Sequence, residues 1–284
     1  MNVTLELELG EFEIRLKTLW GARAMPFGVG SSLPYQTNLM ERLRGQLQQL
    51  LGIGASGLFH GSNGVGKTLL IDQVLSTLSE KLFTIIRLSH SSLTASDLVR
   101  SLCYAMGVEP PMRRSDNIHQ IHRKWGPLGN IHPLIVVDEA QNLSAAALEE
   151  LRLLGWVPQK KEVGRFGLLL GGDENLLARL PMGMNQSLRS RLGFCLGLPP
   201  FNPEESRAYL SSRWREVGVV VSPIEEADCL LLHQAGGGVA RSINHLCQLA
   251  IAQAIGLNER QITTEHVQQA MTHLPWLTSV SSKR

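Results

Sequence analysis

The stretch Gly61-Ser62-Asn63-Gly64-Val65-Gly66-Lys67-Thr68 constrains this chain more than any other. It fits the phosphate-loop pattern G-x-x-x-x-G-K-[ST] at every fixed position. The glycines let the backbone curl so that its N–H groups point inward at a polyphosphate, and the helix beginning here adds the positive end of its dipole. Lys67 is placed to reach the β- and γ-phosphates, and the Thr68 hydroxyl to ligate Mg²⁺. Leu58-Phe59-His60 is a short apolar approach to the loop, and Leu70, Ile71, Val74, Leu75 and Leu78 follow it at helical spacing. Strand, glycine loop and helix in that order predict a nucleotide site.

A phosphate loop needs an acidic partner, and a second apolar run supplies one. Residues Pro133 to Val137 read as a buried strand that ends in Asp138-Glu139-Ala140-Gln141. Asp138 is placed to hold the Mg²⁺ shell and Glu139 to polarise an attacking water. A further strand, Phe166 to Leu170, ends in Gly171-Gly172-Asp173-Glu174. Asp173 is therefore a candidate for orienting the water beside the γ-phosphate, with a plain helix N-cap as the alternative. Arg189 and Arg191 lie just before the strand Phe194 to Leu198. Arginine suits the stabilisation of a transferring phosphoryl from a neighbouring subunit, because its fork stays charged and bidentate. Arg191 is the first choice and Arg189 the second; ordinary surface ion pairing is the alternative.

A length of 284 residues allows one large or two modest domains, and 43% hydrophobic with 18% charged residues is the balance of a soluble globular chain. No apolar run approaches the roughly 18 residues that cross a bilayer, so no membrane association is expected. Met1 to Leu9 carries glutamates and no basic n-region, so a cytoplasmic location is expected. Cys103, Cys195, Cys229 and Cys247 are scattered and read as small buried hydrophobes in a reducing compartment, not as disulfides or zinc ligands. A net charge of +2 does not announce a nucleic-acid binder, nor does it exclude locally grouped cations.

Such a group exists. Arg113, Arg114, His119, His122, Arg123 and Lys124 lie within the polar stretch Pro110 to Gly129. The stretch reads either as a nucleic-acid contact, with Trp125 available to stack, or as a solvated loop and amphipathic helix. At the N-terminus Val3, Leu5, Leu7 and Leu9, then Phe12, Ile14 and Leu16, alternate with polar residues across Gly10-Glu11. That period of two predicts a β-hairpin. Leucines from Gln36 to Leu51 predict a helix, Leu82 to Leu88 a strand, Ser96 a cap for a helix over Asp97 to Met106, and Asn142 to Leu154 a helix. Pro199-Pro200 marks a boundary, beyond which Glu204 to Val217, Ile224 to Gln234, Val239 to Ile255 and Thr264 to His273 are helical. Gly236-Gly237-Gly238-Val239-Ala240-Arg241 aims Arg241 from the first turn of one of these helices. The organisation expected is a hairpin extension over residues 1–24, an α/β nucleotide-binding domain over 25–200, a helical domain over 201–275 and a tail over 276–284.

Together these pieces resemble an AAA+ ATPase over about residues 25–275: an α/β P-loop domain with a parallel sheet, followed by an all-helical lid. Val137-Asp138-Glu139-Ala140-Gln141-Asn142-Leu143, Leu198-Pro199-Pro200-Phe201-Asn202-Pro203 and Gly238-Val239-Ala240-Arg241-Ser242-Ile243-Asn244 look like the ExeA-type branch. That branch includes secretion-associated ATPases and transposition regulators of the TnsC, TniB and MuB kinds. The resemblance implies Walker A at Gly61 to Thr68, Walker B at Asp138-Glu139 and sensor 1 at Asp173. It places the arginine finger at Arg189 or Arg191 and sensor 2 at Arg241, where the side chain could fold over the nucleotide. An acid at sensor 1 departs from the uncharged residue common there. The resemblance further implies ATP and Mg²⁺ as ligands, ATP-dependent homo-oligomers in rings or filaments on double-stranded DNA, and a transposase as partner. Arg113, Arg114, Arg123 and Lys124 are the expected DNA contacts. A secretion-type assembly ATPase acting on proteins and a slow nucleotide-dependent binding switch are the alternatives.

Overall fold

The computed structural model describes residues 9–28, 35–88, 93–125, 131–154 and 166–278. In chain order the elements are α1 (Leu9–Trp20), α2 (Asn38–Gly52), β1 (Gly57–His60), α3 (Lys67–Leu75), β2 (Phe83–Leu88), α4 (Ala95–Ala105) and α5 (Arg114–Trp125). There follow β3 (His132–Val137), α6 (Ala145–Leu154), β4 (Gly167–Gly172), α7 (Glu174–Arg179), α8 (Gln186–Arg189) and β5 (Phe194–Gly197). The chain closes with α9 (Pro203–Glu216), α10 (Glu226–Gly236), α11 (Ala240–Leu257), α12 (Thr264–Thr272) and α13 (Pro275–Thr278). It divides into two compact units: Asn38–Ser62 with Gly66–Leu198, and Met1–Thr37 with Asn63–Val65 and Pro199–Arg284.

The first unit is a five-stranded, wholly parallel sheet in the order β2-β3-β4-β1-β5. Parallel sheets are covered on both faces, which is why these strands read as continuous apolar runs rather than alternating ones. Ile135 and Val137 of β3 and Leu168 and Leu170 of β4 join Leu98, Leu102, Leu148 and Leu151 in one core. The intervening Leu134, Val136 and Leu169 are equally buried and point to the other face, as a period of two requires. The order puts β4 between β1 and β3, so the tip of β4 separates the phosphate loop from the acidic pair.

Four expectations about this unit need correction. Ser96 does not cap α4; the Thr94 hydroxyl accepts the Asp97 N–H and Ser96 lies inside the helix. Trp125 is only 2% exposed and packs against Phe166 at 5.2 Å, so its ring is unavailable for stacking on a base. It terminates the apolar stripe of α5 with Ile121, a role its position four residues on from Ile121 already allowed. The helix read from Asn142 begins instead at Ala145, after a turn of 3₁₀ helix over Ala140–Asn142. Cys195 is exposed, unlike the other three cysteines.

The second unit is helical. α9 opens with a capping box in which Asn202 and Glu205 satisfy each other's backbone N–H groups, with Pro203 in the first turn. Thr263 and His266 do the same for α12. Trp214, Leu232, Ile243, Leu246, Ile251 and Val267 form its interior.

The hairpin expectation fails over residues 9–20, which form α1; Val3 to Leu7 lie outside the described residues. Phe12 and Leu16 recur at four residues as well as at even spacing, so the pattern suited both periods. Ile14 separates them: alternation would place it inward, and it is 67% exposed. Trp20 meets Trp214 edge-on at 5.5 Å and donates its ring N–H to the Arg260 carbonyl at 2.6 Å, fixing the end of α1 within its unit.

Candidate functional site

The phosphate loop leaves the C-terminal end of β1, the end of a parallel sheet where ligands gather. Its curl depends on two left-handed glycines, Gly64 at φ 91° and Gly66 at φ 109°, conformations that a side chain would strain. Lys67 is 4% exposed, and its Nζ donates to the carbonyls of Gly61 and Ser62 at 2.9 and 3.2 Å. A buried ammonium held by loop carbonyls at the N-terminus of a helix is a charge that a polyphosphate can neutralise. The Gly61 N–H donates to the Gly172 carbonyl at 3.2 Å, which pins the entry of the loop to the end of β4.

Thr68 Oγ1 donates to Asp138 Oδ2 at 2.6 Å, so the hydroxyl and the carboxylate converge across β4. They can meet only because β4 ends in glycine there. A Cβ on Gly171 would lie 2.9 Å from Asp138 Oδ1 and 3.1 Å from Ile71 Cδ1. A hydroxyl beside a carboxylate, both hard oxygen donors, fits Mg²⁺ in a phosphate site. Arg87 on β2 approaches the same carboxylate at 3.8 Å and pairs with Asp72 of α3. Sequence reasoning passed over it, although an arginine inside the run Leu82 to Leu88 was a visible signal.

Glu139 occupies the left-handed region at φ 52°, and among the described residues only Asn258 shares that feature without being glycine. Its N–H donates to Asp138 Oδ1 at 2.9 Å. Asp173 is the N-cap of α7: Oδ1 accepts the N–H groups of Asn175 and Leu176 at 2.9 and 3.2 Å, and Oδ2 accepts from the Asn175 side chain at 2.8 Å. Glu174 beside it contacts His60 Nδ1 at 3.2 Å.

The two finger candidates lie on the surface of the same unit. Arg191 donates to the Arg152 carbonyl at 2.8 Å, and Arg189 borders an apolar hollow of about 410 Å³ lined by Leu177, Leu180, Leu192 and Phe194. Arg241 belongs to the helical unit, exposed in the first turn of α11, and its N–H donates to the Gly64 carbonyl at 3.2 Å, a residue grouped with that unit. Of the proposed DNA contacts, Arg113, Arg123 and Lys124 are exposed at the ends of α5. Arg114 is committed elsewhere, paired with Glu150, whose side chain is 2% exposed.

Comparison with known proteins agrees with this geometry. The AAA_22 family profile, described as an AAA domain, matches residues 54–180, which span both acidic and phosphate-loop motifs. General secretion pathway protein A of Aeromonas hydrophila is 25% identical over 213 residues, covering 74% of this chain and 39% of that protein. The ATP-dependent target DNA activator B of Escherichia phage Mu is 26% identical over 220 residues, covering 75% of this chain and 64% of the activator. The chain thus spans less than two thirds of the length of either relative. In fold it is similar to Cdc6p from Pyrobaculum aerophilum, with a TM-score of 0.67 at 17% identity over 86% of this chain and 69% of that one. Among the described residues no helix is long and apolar enough to cross a membrane. Residues 54–180 thus form an AAA domain within an α/β AAA+ ATPase fold, and the chain is similar to the target DNA activator of phage Mu and to general secretion pathway protein A.

Proposed function

We propose that this chain is an ATP-dependent regulator of DNA transposition that assembles on double-stranded DNA and recruits or activates a transposase, with ATP hydrolysis driving its release. The observation that carries the reading is a complete phosphate-loop and acidic-pair site in a unit that presents Arg113, just before α5, and Arg123 and Lys124, at its end, to solvent. Similarity to an ATP-dependent target DNA activator supports it.

In this reading ATP is the substrate. The loop amides and Lys67 bind its phosphates, and Thr68 and Asp138 would hold Mg²⁺, which would supply charge neutralisation at the phosphate oxygens. Glu139 orients and deprotonates the attacking water. Arg191, with Arg189 as its alternate, reaches the nucleotide of the next subunit in the assembly. The finger gains a desolvated phosphate partner only there, so nucleotide and assembly favour each other. Asp173 Oδ1 caps α7 and Oδ2 accepts from the Asn175 side chain, which leaves Oδ2 room for one more donor in a water-orienting part. A few cations per subunit suffice on DNA, because a filament sums their contacts.

The test is fluorescence anisotropy of a labelled duplex without nucleotide, with ADP and with a non-hydrolysable ATP analogue. Salt-sensitive binding that requires the analogue and is lost in Lys67→Ala is the expected result. Absence of binding at low salt under every nucleotide overturns the DNA reading. The secretion-type alternative, which rests on similarity to general secretion pathway protein A, then leads.

A further inference from the structure

Gln141 sits two residues beyond the proposed base and none of the roles above uses it. Its Nε2 donates to Glu139 Oε2 at 2.5 Å, and its Oε1 accepts the Asp173 N–H at 3.3 Å. Only one orientation of the amide serves both ends, since a flipped group would face the N–H with a donor and the carboxylate with an acceptor. The backbone beneath it is clamped. Arg179 of α7 donates to the carbonyls of Gln141 and Leu143 at 2.5 and 2.9 Å. The close approach of the side chain also uses the end of β4, because a Cβ on Gly172 would lie 3.2 Å from Gln141 Oε1.

We propose that Gln141 is the positioning residue for Glu139, tying its carboxylate to the tip of β4 and so to the start of α7; this rests on Glu139 being the base. The amide occupies Oε2 and leaves Oε1, which has no hydrogen-bond partner among the described residues, to take the proton of the attacking water. It also steadies a side chain carried on a left-handed residue, a backbone state that is not self-supporting outside glycine. Through Asp173 and Arg179, displacement of α7 re-aims the base without any change in the phosphate loop.

Steady-state hydrolysis and nucleotide affinity of Gln141→Ala and Gln141→Glu, each alone and with Glu139→Gln, test this, with and without duplex DNA. In Gln141→Ala, kcat is expected to fall about tenfold with nucleotide Kd within about twofold, a share of the 10²–10⁴ that a positioned base contributes. Gln141→Glu keeps the size and the acceptor for Asp173 but sets a like charge against Glu139. Its kcat is therefore expected to fall at least as far as that of Gln141→Ala with nucleotide Kd again within about twofold, a split between kcat and Kd that a merely structural role does not produce. In the Glu139→Gln background neither change is expected to lower the residual rate further. Wild-type kcat in both Gln141 variants, with Glu139→Gln inactive, overturns the positioning role and leaves the base assignment standing. Undiminished hydrolysis by Glu139→Gln overturns the base assignment itself, and the role of Gln141 with it.

Discussion

Thr68 Oγ1 and Asp138 Oδ2 lie 2.6 Å apart, joined across a strand that neither belongs to. Asp138→Asn keeps an oxygen that can accept from the hydroxyl but removes the charge that holds a divalent ion. The fold should survive and catalysis should not. We expect kcat for ATP to drop about a hundredfold, the scale of losing one electrostatic group from a reacting site, and the Mg²⁺ dependence to shift to higher concentration. A Mg²⁺ titration of hydrolysis decides it; an unchanged midpoint sinks the assignment.

The four cations grouped as DNA contacts divide by structure. Arg114 pairs with the nearly inaccessible Glu150, whose other oxygen has no partner, so Arg114→Ala strands a carboxylate in the core. Its stability cost is about 2 kcal/mol, reduced from the larger penalty of a fully buried pair because Arg114 itself is half-exposed. Arg113→Ala, Arg123→Ala and Lys124→Ala should each stay within about 0.5 kcal/mol of wild type. Each should instead weaken duplex binding and flatten its salt dependence. Chemical denaturation alongside anisotropy separates the two classes. Equal stability of Arg114→Ala and Arg113→Ala would contradict the division.

The parts of the fold that sequence reasoning reached are those with one dominant physical signal. Continuous apolar runs ending in glycine or acid marked β1, β3 and β4, because a parallel sheet buries both faces. The phosphate loop was legible because backbone geometry demands its glycines. What escaped depended on pairings distant in sequence. Gln141 and Arg87 acquire meaning only once β4 lies between β1 and β3 and α3 lies beside β2. The false hairpin arose where Phe12 and Leu16 satisfy two periods at once, and only the exposure of Ile14 tells them apart. Trp125 illustrates the same limit: cations around a tryptophan suggest stacking until the ring is seen against Phe166.

The cysteines make a chemical prediction. Cys195 alone among the four is exposed. Partial burial and the nearby Glu174 carboxylate raise its thiol above the ordinary value, burial pushes Cys229 to about 11, and burial holds Cys247 well above the ordinary value. The native protein should therefore react with a disulfide reagent at one thiol, more slowly than free cysteine at pH 8, and accelerate as the pH rises. In denaturant four should react. A second fast thiol under native conditions would show that the unit carrying that cysteine, the sheet unit for Cys103 or the helical unit for Cys229 and Cys247, opens readily.

His233 ties the stability of the helical unit to pH. Its Nδ1 lies 2.8 Å from the hydroxyl of the fully buried Ser206, and burial lowers its pKa below the ordinary 6.5. The folded state thus holds the neutral imidazole and the unfolded state takes the proton more readily. With more protons bound on unfolding, stability rises with pH. The contribution is complete above about pH 6.5 and is lost as the pH falls through that value toward the lower pKa of the folded state. Thermal unfolding followed from pH 7.5 to 5 should show a declining midpoint in wild type. His233→Asn keeps a polar group near Ser206 and cannot titrate, so its midpoint should decline less over the same range. Parallel curves for the two proteins would remove His233 as the origin of the loss.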